Sequence, residues 1–169
     1  GRSLQSLTSD GSTTLRHFAI ASLTTLAIIG AISLISLPFS ERPSLNMDPT
    51  VWALFLPLGV LVIAGQTLSE EILFRGYIQS QLAARFAHPV IWMIAPATLF
   101  GFAHYLPTLP TSAALGYVII AAIFGLLAAD LTARTGSIGA AWGFHFANNT
   151  LAILIVATEG SLTGLGLFR

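Results

Sequence analysis

The sequence predicts an all-α, polytopic membrane bundle of about five transmembrane helices. Hydrophobic residues make up 54% of the 169 residues and charged residues only 8%, whereas about a quarter of an ordinary soluble domain is charged. The apolar residues form five continuous runs separated by polar, glycine-rich or proline-rich breaks. These runs are longer and alternate less than the roughly 10-residue strands of a membrane β-barrel. An integral membrane protein follows from composition and pattern together.

The five runs are justified in chain order by length and by what interrupts them. A membrane-spanning helix needs about 20 mostly apolar residues. The first predicted helix covers 18–39 and ends at a proline followed by charged residues, and the second covers 51–85, with its last third carrying polar residues. The third covers 89–105, before a segment with two prolines, and the fourth covers 112–129. After a Thr-Gly-Ser turn, the fifth covers 138–158.

Three segments and an orientation follow from this division. Residues 1–14 form a polar, Ser/Thr-rich N-terminal segment without the features of a signal peptide, residues 15–158 form the membrane domain, and residues 159–169 form a short tail. Arginines in the terminal and loop regions decide orientation. Most of them precede the first helix, follow the apolar part of the second or follow the fourth. They are Arg2, Arg16, Arg75, Arg85 and Arg134. The N-terminus is therefore predicted to be cytoplasmic, and the compact chain favours a bacterial inner membrane.

Composition also excludes several classes of function. The sequence has 7 basic and 7 acidic residues, so no basic surface for a nucleic acid is expected. It has no cysteine, which excludes disulfides, thiolate catalysis and cysteine-based metal sites.

Three charged residues in the second helix are the first candidates for a site. Ionisable side chains are costly inside a membrane and mark functional sites by default. Glu71 and Arg75 are four residues apart, so they share a helix face and can pair. Glu70 points about 100° away and is freer to act on water or substrate. The alternative, a charge cluster at an interfacial helix end, is weakened because residues 72–74 between the charges are apolar.

Two later runs contain polar residues at helical spacing. His104 follows Phe100 by four residues, and Asn149 follows His145 by four, so each pair shares a face. A histidine can hold a proton near neutral pH, and an asparagine amide can donate to an oxyanion. Taken alone, His104 is more typical of an interfacial residue, and the pair of His145 and Asn149 is typical of polar contacts between membrane helices. All three groups together favour one water-filled cavity shared with the glutamates.

Helix rise tests whether these groups can meet. At ~1.5 Å per residue, Glu71 lies ~20 Å from Arg85, and His104 lies ~22 Å from the start of its run. Those two depths agree. His145 lies only ~10 Å from the start of its run, so a tilted or broken helix is required for the three to come together.

The three motifs in order, Glu-Glu-x-x-x-Arg, Phe-x-x-x-His and His-x-x-x-Asn, resemble those of the CPBP family. These are the CAAX-type prenyl endopeptidases and bacteriocin-processing proteins, also called the Abi family, and the resemblance covers about residues 50–158. It implies an intramembrane endopeptidase, a hydrolase with a membrane-embedded site. The implied partners are membrane lipid and a protein or peptide substrate, with no nucleic acid.

The resemblance also implies a catalytic set of six residues, which are Glu70, Glu71, Arg75, His104, His145 and Asn149. Glu70 would be the general base that activates water, with the other two charged residues supporting it. His104 would position water or stabilise the intermediate. His145 and Asn149 would stabilise the oxyanion.

Three alternatives stay open at the level of sequence. One is a metal mechanism, in which Glu70, His104 and His145 hold a single Zn ion; we favour no cofactor because no ligand pair lies on one helix turn and no His-Glu-x-x-His motif occurs. The second is a non-catalytic member of the fold, acting as a subunit or assembly factor with other membrane protein subunits. The third is a proton-coupled carrier that uses the same groups as a relay.

Overall fold

The computed structural model describes residues 8–39, 43–157 and 164–169. Within them it shows five helices, which are α1 (Gly11–Ser36), α2 (Pro49–Glu71), α3 (Pro89–Ala103), α4 (Thr111–Thr135) and α5 (Ile138–Thr150). α1 ends in a 3-10 turn, Leu37–Phe39. α2 continues directly as a π-helical segment, Ile72–Gln79, and a last turn, Ser80–Ala83. α5 continues as a second π-helical segment, Leu151–Ile155. The all-α prediction is confirmed.

Helix ends are set by capping rather than by the apolar runs. α1 begins before the apolar run, because the Asp10 carboxylate accepts a hydrogen bond from the backbone N–H of Thr13 at 2.9 Å and caps the helix. α4 continues well beyond its apolar run and stops where Gly136 adopts a φ of 64°, a left-handed conformation that glycine tolerates. The predicted limits at residues 18 and 129 were therefore wrong, since they traced hydropathy and not the caps.

Among the described residues, three helices are long and apolar enough to cross a membrane. They are Gly11–Phe39, Pro49–Ala83 and Thr111–Thr135. Much of their apolar surface is exposed on the isolated chain, as expected for side chains that face lipid. α3 has 15 residues and is about 22 Å long, which is shorter than the roughly 30 Å hydrocarbon core. The chain is an integral membrane protein, and its five helices do not all have the length of a full span.

α5 packs against α1 at two glycines. A Cβ atom at Gly139 would overlap the carbonyl oxygen of Thr14, and one at Gly143 would overlap that of Phe18. The hydroxyl of Ser22 also donates to the carbonyl of Gly143 at 3.1 Å. Small residues spaced by four let membrane helices approach to backbone contact. This contact holds one side of α5 and leaves its other side for α2 and α4.

α3 and α4 form a hairpin in which glycines again allow close contact between the two backbones. A Cβ at Gly101 would lie 2.6 Å from the carbonyl oxygen of Val118, and one at Gly125 would lie 3.2 Å from the Cα of Ala97. Close backbones leave no room for larger side chains here. The hairpin therefore presents α4 to the π-helical segment that follows α2.

The chain ends are described in part. The predicted N-terminal segment 1–14 is described from residue 8 and the predicted tail 159–169 from residue 164; the rest of both lies outside the described residues. The described tail runs beside the loop before α2, where the N–H of Ser44 donates to the carbonyl of Arg169 and the N–H of Asn46 to that of Leu167, both at 2.9 Å. This short pairing lies next to the end of α5.

Candidate active site

The centre of the site is a buried carboxylate with two donors. Glu71, the last residue of α2, is fully buried, and its Oε1 accepts from Arg75 Nη1 at 2.9 Å and from His145 Nδ1 at 2.8 Å. Arg75 is itself buried and donates through Nη2 to the carbonyl of Gly125 on α4 at 3.0 Å. The three helix segments of α2, α4 and α5 thus meet at this one cluster. The pairing of Glu71 with Arg75 across one turn agrees with the spacing argument.

Local helix geometry places Arg75 in this cluster. The helix widens to a π-helical form from Ile72 onwards, and π-helical turns inside α-helices occur frequently at functional sites. The guanidinium carbon of Arg75 lies 4.7 Å from the centre of the Phe100 ring and 5.9 Å from that of Phe74. Aromatic faces attract a desolvated cation, so the two rings offset part of the cost of burying it.

Glu70 differs from its neighbour in accessibility. Its side chain is 27% exposed. Oε1 accepts a hydrogen bond from Nε2 of Gln66, whereas Oε2 is buried and has no hydrogen-bond partner among the described residues. Oε2 lies 3.9 Å from His145 Nε2. His145 therefore stands between two carboxylates, bonded to Glu71 and facing Glu70.

Proton positions at His145 follow from its partners. A carboxylate only accepts hydrogen bonds, so His145 carries a hydrogen on Nδ1, the atom bonded to Glu71. In the neutral ring Nε2 then presents a lone pair to Glu70 Oε2, which is another acceptor. One added proton, on His145 Nε2 or on Glu70 Oε2, allows a hydrogen bond between these two atoms. With that proton the charges of the cluster, which is Glu70, Glu71, Arg75 and His145, sum to zero, and a neutral cluster costs less to bury than a charged one.

His104 bonds to the backbone of its own helix and lines the same cavity as His145. Its Nδ1 is 2.8 Å from the carbonyl oxygen of Phe100, and its ring packs against the Phe100 ring at 4.5 Å between centroids. Because a carbonyl only accepts, His104 also carries its hydrogen on Nδ1. A cavity of about 240 Å³ is lined by His104, His145 and Asn149, among others. The motifs on α3 and α5 thus share one hollow.

A residue that the motif analysis did not single out joins the remaining groups. Gln66, on α2, donates to Glu70 and accepts from Asn149 Nδ2 through Oε1 at 3.3 Å. Asn148 Nδ2 donates in turn to Asn149 Oδ1 at 3.2 Å. The available signal was spacing, since Gln66 precedes Glu70 by four residues and shares its face.

A larger, mainly apolar cavity lies beside the polar side chains of the site. Its volume is about 610 Å³, and Gln66, His104 and Asn149 lie among its lining residues. The rest of the lining is mostly apolar and includes Phe55, Leu58, Val62, Ile63, Ala152 and Ile153. It shares His104 and Asn149 with the smaller cavity. An apolar segment of a substrate could therefore lie beside polar groups suited to hydrolysis.

The donor geometry does not fit the zinc alternative. Within residues 8–39, 43–157 and 164–169, no three His, Cys, Asp or Glu side chains are close enough to hold one metal ion. Glu70, His104 and His145, the ligand set of the zinc alternative, are therefore not grouped around one metal position in this part of the chain.

A comparison with known families identifies the family of the chain. The family profile described as "Type II CAAX prenyl endopeptidase Rce1-like" matches residues 50–151, which is more than half of the chain. The chain belongs to this family. The match starts at α2, ends just beyond α5 and contains every motif residue. The resemblance of the motifs to those of the CAAX-type endopeptidases is thus confirmed.

Individual proteins give a weaker comparison. This member of the Rce1-like family is 26% identical over 119 residues to the uncharacterized protein YyaK of Bacillus subtilis (strain 168). The aligned region is 70% of this chain and 39% of that relative, so the chain spans about two fifths of the relative's length. No solved structure matches the chain.

Proposed function

We propose that this protein is an intramembrane endopeptidase in which Glu70 activates a water molecule to attack a peptide bond. The observation that carries the proposal is the environment of Glu70 Oε2. That oxygen is buried, has no hydrogen-bond partner among the described residues and lies 3.9 Å from a histidine nitrogen. Membership of a family of CAAX prenyl endopeptidases supports peptide hydrolysis as the reaction.

The two glutamates have different roles in this proposal. Glu71 is fully buried and one of its oxygens already accepts two charge-assisted hydrogen bonds, so it is a positioning residue that fixes the ring of His145 and its tautomer. One oxygen of each glutamate is buried without a hydrogen-bond partner among the described residues, but only the Glu70 side chain is partly exposed, so its carboxylate is the one that can meet a water molecule. A general base must lie within hydrogen-bond reach of the proton that it takes.

The proposed reaction then has two steps. As the water oxygen bonds to the scissile carbonyl carbon, Glu70 Oε2 takes a proton from the water, and a tetrahedral oxyanion forms. Asn149 has a second amide hydrogen beside the one given to Gln66, and that hydrogen can donate to the oxyanion. The carbon–nitrogen bond then breaks, and the leaving amine takes the proton from Glu70. His145 Nε2 faces Glu70 and compensates its charge when protonated, while His104 lines the cavity and positions the water.

The proposed substrate is a protein or peptide with apolar residues beside the scissile bond, because the 610 Å³ cavity beside the site is mainly apolar. Membrane lipid surrounds the bundle, as its exposed apolar surface requires. A cytoplasmic N-terminus, a bacterial inner membrane as location and association with further membrane subunits stay predictions.

Replacing Glu70 by Gln tests the proposal. The change keeps the shape and the hydrogen bond to Gln66 but removes the base, so cleavage is expected to fall about 10²- to 10⁴-fold. The measurement is mass spectrometry of new peptide termini in membranes of a host that expresses the wild-type protein or the variant. Asp130→Asn is the matched control, because Asp130 lies in an exposed pair outside the site.

The outcomes separate the proposal from its rivals. New termini that depend on Glu70 and survive Asp130→Asn would support the endopeptidase. If no terminus depends on Glu70, the endopeptidase is wrong. Stable copurification with other membrane subunits, unchanged by Glu70→Gln, would then indicate a non-catalytic subunit.

A further inference from the structure

Gln66 connects two groups of the candidate site that lie on different helices. Its side-chain nitrogen donates to Glu70 Oε1 on α2, and its side-chain oxygen accepts from Asn149 Nδ2 on α5 at 3.3 Å. Asn148 continues the chain by donating to Asn149 Oδ1 at 3.2 Å. Four side chains thus form one line of hydrogen bonds that ends at the carboxylate.

The direction of this line is fixed by its last member. An ionised carboxylate accepts and cannot donate, so Gln66 must turn its NH₂ group to Glu70 and its oxygen to Asn149. Asn149 must then turn its own NH₂ group to Gln66, and its oxygen is left for Asn148. Each amide is thereby held in one of its two possible flips, and hydrogen bonds in such a chain polarise one another in the same sense.

We propose that Gln66 is a positioning residue that orients Glu70 and Asn149 at the same time. The inference rests on the proposed function, in which those two residues are the general base and the oxyanion donor. By occupying Oε1 of Glu70, Gln66 leaves Oε2 without a hydrogen-bond partner among the described residues and 3.9 Å from His145 Nε2. By accepting one amide hydrogen of Asn149, it leaves the other hydrogen to face the cavity.

The residue type matters because both the nitrogen and the oxygen of the side-chain amide are used. The site needs a donor and an acceptor at the end of one side chain, and glutamine supplies both. Gln66 also lines the 610 Å³ cavity at its polar end, so it lies where a bound substrate would exclude water and strengthen these hydrogen bonds. A contact role alone would be met equally well by methionine, which has a similar length and no hydrogen-bonding group of that kind.

The test compares Gln66→Met with the matched Gln81→Met. Gln81 lies beyond the π-helical segment, and its side chain accepts from Arg85 outside the site. We expect Gln66→Met to lower Glu70-dependent cleavage about 10- to 100-fold, with an unchanged melting temperature, and Gln81→Met to have no effect. The readout is the same mass spectrometry of new termini. Equal rates in the two variants would overturn the inference, while dependence on Glu70 would leave the proposed function intact.

A second variant gives a signature that a purely structural role would not produce. In Gln66→Glu a protonated carboxyl can still donate to Glu70 and accept from Asn149, whereas the ionised form repels Glu70. Cleavage relative to wild type is therefore expected to rise as pH falls from about 8 to about 5. The other ionisable groups around Glu70, which are constant in this comparison, are Glu71, Arg75, His104 and His145. A ratio that does not change with pH would contradict the inference.

A third measurement does not depend on activity. Dicyclohexylcarbodiimide labels protonated carboxyl groups in apolar surroundings, and labelling of Glu70 can be followed by peptide mass spectrometry. An amide donor favours the ionised carboxylate, so labelling in Gln66→Met is expected to persist to higher pH than in wild type or Gln81→Met. The same labelling profile in all three proteins would overturn the role of Gln66 even if no substrate is cleaved.

Discussion

Replacing Arg75 by Met is expected to lower the free energy of unfolding by about 3–5 kcal/mol. The variant keeps an apolar stem of similar length but leaves the fully buried Glu71 carboxylate with His145 as its remaining donor. It also removes the hydrogen bond to Gly125, which ties the π-helical segment to α4. Detergent-induced unfolding in mixed micelles, followed by circular dichroism, measures the change.

A second ion pair with the same spacing provides the control. Arg134 and Asp130 are also four residues apart, and their N–O distance of 2.7 Å is shorter than the 2.9 Å of Arg75 and Glu71. Their side chains are 76% and 40% exposed, so Arg134→Met is expected to cause no measurable change. The double variant Glu71→Gln/Arg75→Met should recover part of the loss, because no uncompensated charge remains. Equal effects of the two arginine variants would mean that burial does not decide the strength of these pairs.

The second large effect is expected at the contact between α1 and α5. In the double variant Gly139→Ala/Gly143→Ala, each added methyl group would overlap a backbone carbonyl oxygen of α1, which cannot rotate away as a side chain can. The helices must therefore separate, and we expect a loss of about 3 kcal/mol or more in the free energy of unfolding. Helix content should change little, since α1 remains apolar and in lipid. The same unfolding experiment measures the loss.

Two other helical glycines control for the effect of alanine on the helix itself. A Cβ at Gly30 or at Gly116 would meet nothing within 4 Å. Gly30→Ala and Gly116→Ala are therefore expected to leave stability unchanged or slightly higher, because alanine favours helix more than glycine does. Stability in the double variant equal to that of these controls would show that α1 does not approach α5 as closely as described.

Spacing along one helix was sufficient to predict the central ion pair. Glu71 and Arg75 share a helix face whatever the rest of the chain does, and the structure pairs them at 2.9 Å. The same argument paired His104 with Phe100, and their rings pack at 4.5 Å. Roles in catalysis were suggested by side-chain chemistry and by the family motifs, and those of Glu70 and Asn149 stay proposals.

Contacts between helices were predicted less completely. The depth estimate placed His145 too near the end of its helix to reach Glu71 without a tilt, yet the two bond at 2.8 Å. The second helix turned out to be π-helical from Ile72 to Gln79, which no count of α-helical rise could include. Gln66 was not recognised as a site residue because the sequence argument selected charged and ionisable residues in apolar runs, and Gln66 is uncharged.

By itself the sequence determined the class of protein, the five helices and the charged and polar residues that are candidates for a site. Hydropathy and charge decide these points because the preference of a side chain for lipid or water belongs to the residue itself, and i to i+4 spacing is a property of a single helix. Tertiary structure alone decided which glutamate is fully buried and which is partly exposed, and that Gln66 joins α2 to α5. Those outcomes depend on the distance between helix axes, which is set by glycines in contact with distant backbone and by a change in helix type.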